Sequence, residues 1–393
     1  MTAAAVGGFN VTGVQAQEEP LATFVSTSGI PHADIANVKQ IRQGRGWDPG
    51  DPNSTNASWE SAVSAAWSQV ASEGPDAVFV TGDQVEGAWG KDVDRTGIFG
   101  PVNTLDNQKK AVTNAGNAYY GEQKRDYNAA GLKVYPAPGD HEFGGMNHEG
   151  FIPNTKQSYK LLPSAKAVWA RNFTANGTKY AQRPVGTNFK GTAYAAKLPG
   201  SVLLISLDPI ARWSDGTHAR ISSDQLSWVA RVIEATTAEH VFVQVEIPPK
   251  LGTHWSHSSS TVLENGDKLW QVMDRHNKAD LLLAAEFHEI NAVLAPGHDI
   301  GDPGAPVEII HGGRLQTPSM NYLVIQIFAD RIEITAKRVT TTVVDDSREL
   351  WQTSLKRPPL KILVSPVTET AGNLTMTNTG RVTEHNGALS LQP

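Results

Sequence analysis

Four short stretches of the chain end in residues that can hold a metal ion or move a proton. They are Asp76-Ala-Val-Phe-Val-Thr-Gly-Asp83, Leu132-Lys-Val-Tyr-Pro-Ala-Pro-Gly139-Asp140-His141-Glu142, Val241-Phe-Val-Gln-Val-Glu246-Ile-Pro-Pro and Leu281-Leu-Leu-Ala-Ala-Glu286-Phe-His288. Each carries an apolar or β-prone run that leads into a carboxylate, and two of them also carry a histidine. Carboxylates are hard oxygen ligands, while imidazole is either a nitrogen ligand or a general acid–base group. Repeated four times, the pattern reads as a metal site or as the remains of one. Glu286 and His288 stand at i and i+2, so on a strand they would share a face and point at one site.

The elements that must position these residues follow from their flanks. A short apolar run ended by a turn signal reads as a buried strand of an α/β sheet. Asp83 then lies just past the carboxyl end of its strand, where open α/β sheets bind ligands. Gly82 allows the backbone to turn there without a Cβ clash. Thr23-Phe-Val-Ser-Thr-Ser is the expected first strand, ending at Gly29, and residues 43–57 read as a loop rich in Gly, Pro, Asp and Asn. Trp59, Val63, Ala66, Trp67 and Val70 recur at helical spacing behind Ser58, a candidate N-cap. Further helices are expected over Asn107–Ala130, from about residue 158 to Arg171, from Ser222 to Glu234 and over Asp267–Asn277. Ala195 to Asp208 reads as a hairpin, and Glu289 to Thr335 as strands joined by short turns. Three segments are expected: a signal-like or flexible tail over 1–20, a domain over 21–340 and a β-rich extension over 341–393.

Composition narrows the function classes. With 393 residues, 39% hydrophobic and 19% charged, the chain can bury a large core. Its net charge of −6 and the lack of a long basic run argue against nucleic acid as a partner. No apolar segment approaches the roughly 18 residues a membrane helix needs, so no membrane partner is expected. The absence of cysteine excludes disulfides, thiolate ligands and cysteine nucleophiles. Val14-Gln15-Ala16 before a polar Gln17-Glu-Glu-Pro resembles the end of a secretory signal without its basic leader, which makes a secreted or periplasmic location the expectation.

Taken in order, Gly82-Asp83, Gly139-Asp140-His141-Glu142, a Val-Gln-x-x-Ile-Pro strand and an x-Glu-Phe-His strand resemble the calcineurin-like metallophosphoesterases. The resemblance runs from about Thr23 to Lys337 and is nearest to the bacterial, often exported branch with Gly-Asp-His-Glu and Gly-Glu-x-His variants. It implies an α/β fold, a four-layer αββα sandwich, here with a β-rich C-terminal tail. In that family two metals bridged by an Asp activate water for attack on a phosphate ester. Carried over, Asp83 matches the bridging Asp, Asp140 the Asn ligand of the second metal, and His141 the imidazole that contacts the phosphate and leaving group.

The remaining family positions differ. Gly29 and Pro31 stand where the family has the Asp and His of its first block, and neither can ligate through a side chain. His32 and Asp34 lie beside that lost block as partial substitutes. Glu246 replaces a His ligand, and Ala285-Glu286-Phe287-His288 stands for Gly-His-x-His. The first metal therefore keeps Asp83 and His288, while the second would see Asp83, Asp140, Glu246 and Glu286. The resemblance thus makes Asp83, Asp140, Glu246 and Glu286 the candidate metal ligands, and His141, His288 and Asp83 the candidate catalytic residues. An all-oxygen shell suits Mg²⁺, Ca²⁺ or Mn²⁺ rather than zinc or iron. His254 and His311 are candidates for the cleft rim, and Trp89, Trp213 and Trp255 are either core residues or stacking platforms.

Three readings of function stay open. One is a divalent-metal-dependent hydrolase of phosphate esters with an altered metal site. Another is a carbohydrate-active hydrolase or lyase acting on an acidic or other polysaccharide. The third is an inactive binding protein. The expected substrate is a small molecule or a saccharide, and the expected cofactor is one divalent ion at most, or none. Because the lost first block removes ligands from one metal, protein purified without chelator is expected to hold at most about one tightly bound ion per chain. Two transition metals at full occupancy in elemental analysis would overturn this expectation.

Overall fold

A computed structural model of the chain describes residues 18–28, 57–85, 87, 89, 97–143, 155–175, 180, 182–212, 217–249, 263–276, 279–286, 290–312, 319–343 and 362–391. The expectations for the tail before residue 18, the 43–56 loop, Gly29, Pro31, His32, Asp34, Trp213, His254, Trp255 and His288 lie outside the described residues.

The first sheet contains β1 (Ala22–Thr27), β2 (Ala77–Thr81), β3 (Val134–Ala137), β12 (Ser319–Ile327), β13 (Arg331–Val343), β14 (Ile362–Thr377) and β15 (Val382–Gly387), in the order β15-β14-β13-β12-β1-β2-β3. The second contains β4 (Tyr194–Leu198), β5 (Val202–Ser206), β8 (His240–Gln244), β9 (Ala279–Ala284), β10 (Asn291–Leu294) and β11 (Val307–Ile310), in the order β10-β11-β9-β8-β5-β4. A small ribbon pairs β6 (Ile210–Arg212) with β7 (Thr217–Ala219). Helices α1 (Ala57–Ala71), α2 (Leu105–Ala129), α3 (Thr155–Phe173), α4 (Ser223–Ala235) and α5 (Gly266–His276) flank the sheets. No described helix is long and apolar enough to cross a membrane.

Three apolar clusters separate four layers. Trp67 and Val70 of α1 pack on Val25, Val78 and Val80 of the first sheet. Between the sheets, Phe24 and Phe79 meet Phe242, with ring centroids 5.3 to 6.4 Å apart. On the far side Leu203, Ile205, Val241 and Val243 meet Leu226 of α4 and Leu269 of α5. The molecule is therefore an αββα sandwich, and the strands buried on both faces explain the near-continuous apolar runs. The C-terminal strands β14 and β15 join the first sheet beside β13.

Local signals set most element ends. Ser222 caps α4 by accepting the Gln225 N–H, and Thr104 caps α2 by accepting that of Asn107, so α2 begins two residues earlier than its apolar pattern suggests. Helix α1 already includes Ser58, which therefore does not serve as its N-cap. β4 and β5 form the expected antiparallel hairpin.

In the first sheet β1, β2 and β3 run parallel, and in the second β5, β8, β9 and β11 do. Their carboxyl ends come together at one edge of the sandwich. Two polar contacts cross between the sheets near that edge: Tyr194 donates from its hydroxyl to the Pro136 carbonyl at 2.8 Å, and Gln244 Nε2 donates to the Tyr135 carbonyl at 3.1 Å. Tyr194→Phe leaves the buried Pro136 carbonyl without that donor and is expected to cost about 1–2 kcal/mol. Chemical denaturation checks this, and an unchanged midpoint and slope would show that the contact contributes nothing.

Candidate active site

Asp83 follows β2, Asp140 follows β3, Glu246 follows β8 and Glu286 follows β9. Two of the four thus come from each sheet, and they meet where the two parallel sets end. One ligand oxygen from each lies within 4.8 Å of the others. Asp83, Asp140 and Glu246 are buried, while Glu286 is half-buried. A second grouping of ligand atoms joins Asp83 and Asp140 to His141.

The backbone explains how each carboxylate arrives. β8 and β9 continue their hydrogen bonding past the strand ends: Val245 N–H donates to the Leu283 carbonyl and Ala285 N–H to the Glu246 carbonyl. That ladder brings Glu246 and Glu286 side by side. Asp83 and Glu286 have φ of 54° and 72°, the left-handed region that costs a non-glycine residue free energy. The strand expected to carry Glu286 stops short of it, while its sharing of a face with His288 lies outside the described residues. β9 ends at Ala284, so Glu286 is aimed by a left-handed turn and not by strand alternation.

Gly82 is required by close approach. A Cβ there would sit 2.2 Å from Glu246 Cγ, and its φ is +80°. The other sheet's carboxylate therefore passes directly over the turn that carries Asp83. Gly139 is equally confined, with a Cβ falling 2.4 Å from Asp83 Oδ1.

Glu142 ties the two turns of the first sheet together. Its carboxylate accepts the Asp83 N–H at 3.0 Å, the Gly139 N–H at 2.6 Å and the Gln84 N–H. Behind it, Gln123 donates to the Gln84 carbonyl and Tyr127 donates its hydroxyl to Gln84 Oε1 at 2.7 Å. Burial pushes the Glu142 carboxyl up to about 7, against the three N–H donors that favour its charged form. The sequence carries one signal for this role, the place of Glu142 at the end of Gly-Asp-His-Glu three residues after Gly139, and none for its reach to Asp83.

His141 sits in a 3₁₀ turn, His141–Phe143. Its N–H donates to Asp83 Oδ1 at 3.3 Å, and its Nε2 lies 3.8 Å from Asp140 Oδ1. His311 is not a rim residue: it is fully buried after β11, with Nε2 2.6 Å from Ser26 Oγ. The sheet continues past β11 through the His311 N–H to the Ala284 carbonyl, which draws the ring inside. Trp89 is a core residue, stacked on Tyr119 at 5.5 Å. His298 pairs at the surface with Asp274 at 2.6 Å.

Electrostatically the cluster is unbalanced. Burial raises the Asp83 carboxyl well above the usual range; His141 opposes that shift, and the neighbouring carboxylates of Asp140, Glu142 and Glu286 add to it. Burial raises Glu246 likewise, reinforced by Glu286, Asp83 and Asp140. Neither Glu246 oxygen finds a hydrogen-bond donor among the described residues. An orphaned buried carboxylate within a four-carboxylate donor set fits a hard divalent cation, whose ligands are oxygens.

A scan against protein-family models finds no match, and neither does a search of curated proteins. Solved structures are similar. PhoD aligns with a TM-score of 0.57 at 12% identity, over 96% of this chain and 73% of that one. A dimetal phosphatase from Danio rerio aligns at 0.44 and 13% identity, over 81% and 96% of the two chains. A calcineurin-like phosphoesterase, YfkN from Bacillus subtilis, aligns at 0.37 and 11% identity, over 94% of each. At these identities the likeness concerns the fold, and the PhoD alignment carries it: the chain has the calcineurin-like metallophosphoesterase fold.

Glu142→Gln replaces an acceptor-only carboxylate by a group with one acceptor oxygen and an NH₂ facing backbone donors. It is expected to destabilise the protein by about 1–3 kcal/mol, because buried N–H groups lose their partner. Thermal and denaturant melts of the two proteins test this. Equal stability would show that the turns are held by something else.

Proposed function

We propose that the chain is a divalent-metal-dependent hydrolase of phosphate esters whose metal site is built on carboxylates. The observation that carries the reading is the junction of Asp83, Asp140, Glu246 and Glu286 at the carboxyl ends of two sheets, with Glu246 buried and without a donor among the described residues. These four residues would hold the ion. When bound, a divalent cation there supplies charge neutralisation and polarises a phosphoryl oxygen. Gly29 and Pro31 in place of the family's first-block ligands favour one tightly held ion over a full pair.

The chain's own groups supply the rest. His141 stands at the cluster's edge, its Nε2 3.8 Å from Asp140 Oδ1. Paired in this way, its protonated ring would donate a proton to the leaving oxygen of the ester. At 3.8 Å the ring is within ion-pair reach of the Asp140 carboxylate and beyond hydrogen-bond distance. Glu142 takes no part in the chemistry and keeps the Asp83 and Gly139 turns in register. Export of the chain, suggested by the Val14-Gln15-Ala16 segment, belongs to the same proposal.

Hydrolysis of aryl phosphate monoesters and diesters is expected to require added Mg²⁺, Mn²⁺ or Ca²⁺ and to stop with chelator. The same ions at millimolar concentration are expected to raise the melting temperature, because a ligand bound only by the folded state stabilises it. Glu246→Gln should shrink that rise, and His141→Ala should lower turnover by roughly 10²–10⁴-fold with little loss of stability. Identical turnover and identical melts with chelator and with every ion would refute the metal-dependent reading. Turnover of an acidic polysaccharide in place of phosphate esters would transfer the site to saccharide chemistry.

A further inference from the structure

Three neighbouring parallel strands of the second sheet, β9, β8 and β5, each end two residues before a carboxylate: Glu286, Glu246 and Asp208. The first two belong to the ligand cluster, and Asp208 does not. Asp208 is fully buried, and its charge is answered elsewhere. Lys166 of α3 donates to its Oδ2 at 2.7 Å, the Thr192 hydroxyl donates to the same oxygen, and the Ile210 N–H donates to Oδ1 at 3.0 Å. Gln225 of α4 holds the backbone there, accepting the Asp208 N–H and donating to the Asp208 carbonyl, each at 2.9 Å.

Lys166 also donates to the Ile210 carbonyl at 2.6 Å. Its ammonium lies 5.3 Å over the ring of Phe143 and 4.6 Å over that of Phe189. Both distances are within the roughly 6 Å at which a cation is attracted to an aromatic face. Phe143 ends the 3₁₀ turn that begins at His141. That turn is closely fitted: the Phe143 N–H donates to the Asp140 carbonyl at 3.1 Å, and a Cβ on Gly87 would fall 2.0 Å from the His141 carbonyl oxygen.

We infer that Lys166 is a positioning residue for the proposed hydrolase: paired with Asp208, it seats Phe143 and so sets where the His141 ring stands against the carboxylate cluster. The proton transfer this serves rests on the hydrolase reading above; the placement of the ring does not. Asp208 ends a strand of the second sheet and Phe143 belongs to a turn of the first, so the lysine ties one sheet to the other beside the site. Burying an ammonium is costly, and burial does pull the Lys166 pKa down while Asp208 opposes that shift. The tie is specific to a cation: a neutral side chain would neither balance Asp208 nor attract the Phe143 ring.

The test compares aryl phosphates whose leaving groups differ in acidity, with the activating divalent ion present. Lys166→Met alone would leave the Asp208 charge buried without compensation. It is therefore combined with Asp208→Asn, whose amide keeps an acceptor for the Ile210 N–H and a donor for the Thr192 hydroxyl. Melts confirm that this pair variant folds. Its kcat on phenyl phosphate is expected to fall roughly ten- to a hundredfold with KM unchanged, as a displaced acid group dictates. On nitrophenyl phosphate the fall should be smaller, because nitrophenolate leaves without a proton. In a His141→Ala background the pair variant should cost nothing further. Lys166→Arg, which keeps a cation over Phe143, should retain most of the turnover. Equal losses on both esters, or the same further loss without His141, would overturn the assignment. The Cε1–H resonance of His141, identified by its absence in His141→Ala, reads the placement without turnover. It should move in the pair variant, and an unmoved resonance would also overturn the assignment. A wild-type chain that hydrolyses no ester while that resonance moves would refute the hydrolase reading and leave the placement of His141 standing.

Discussion

Four carboxylates drawn from two different sheets converge within 4.8 Å. Two unit charges at about 4 Å repel by on the order of 4 kcal/mol at an effective dielectric of about 20. Several such pairs together would rival the few kcal/mol by which a domain is stable. The surrounding sandwich is what keeps the four groups in place, because the apolar clusters between and outside the sheets leave the strand ends nowhere else to go. The cluster must then lower its own charge. Protons do so where burial raises Asp83 and Glu246, and a bound cation would do so more completely while accepting the oxygens that lack donors.

The turns that carry these groups are held against their own preferences. Asp83 and Glu286 occupy left-handed backbone, a conformation that costs on the order of 1–3 kcal/mol for a residue with a side chain. Such strain persists only where neighbours over-determine it. Around Asp83 those neighbours are the Glu142 carboxylate on its N–H, the Gly139 backbone and the Glu246 side chain over Gly82. Around Glu286 the Ala285 N–H is fixed to Glu246. One arrangement therefore constrains both sheets, and Glu142, which belongs to neither pair of candidate ligands, is its anchor.

A fold shared with PhoD at 12% identity says where a site can be built and little about what it holds. Here the strand ends are the fold's contribution, and the donors are the chain's own. Glutamate at positions 246 and 286 makes the described part of the site oxygen-rich, whereas the family to which the motifs point uses imidazole at the first of these. Oxygen donors favour hard ions, so the chemistry drawn from this site follows from residue type and not from topology.

The sequence determined what depends on neighbours in the chain. Apolar runs marked β2, β3, β8 and β9, polar caps marked α4, and a glycine before Asp83 and Asp140 marked the turns where the site residues stand. The resemblance of four ordered blocks was enough to place the layers, since each block records one strand and its end. Tertiary structure decided what depends on residues far apart. Glu142 bonds Asp83 across 59 positions, and His311 reaches Ser26 across 285, so neither the clamp's reach to the Asp83 turn nor the burial of that imidazole can be read from neighbouring residues. The same holds for Glu286, whose direction comes from a left-handed turn that the β8 end fixes, while its sequence reads as continued strand. Trp89 likewise stands in a loop-like stretch and becomes core only because α2 presents Tyr119 and Tyr120 to it. Local preference is set by a few dihedral angles and one side chain. The convergence of like charges is set by a packed core large enough to hold them, and only the folded chain contains that core.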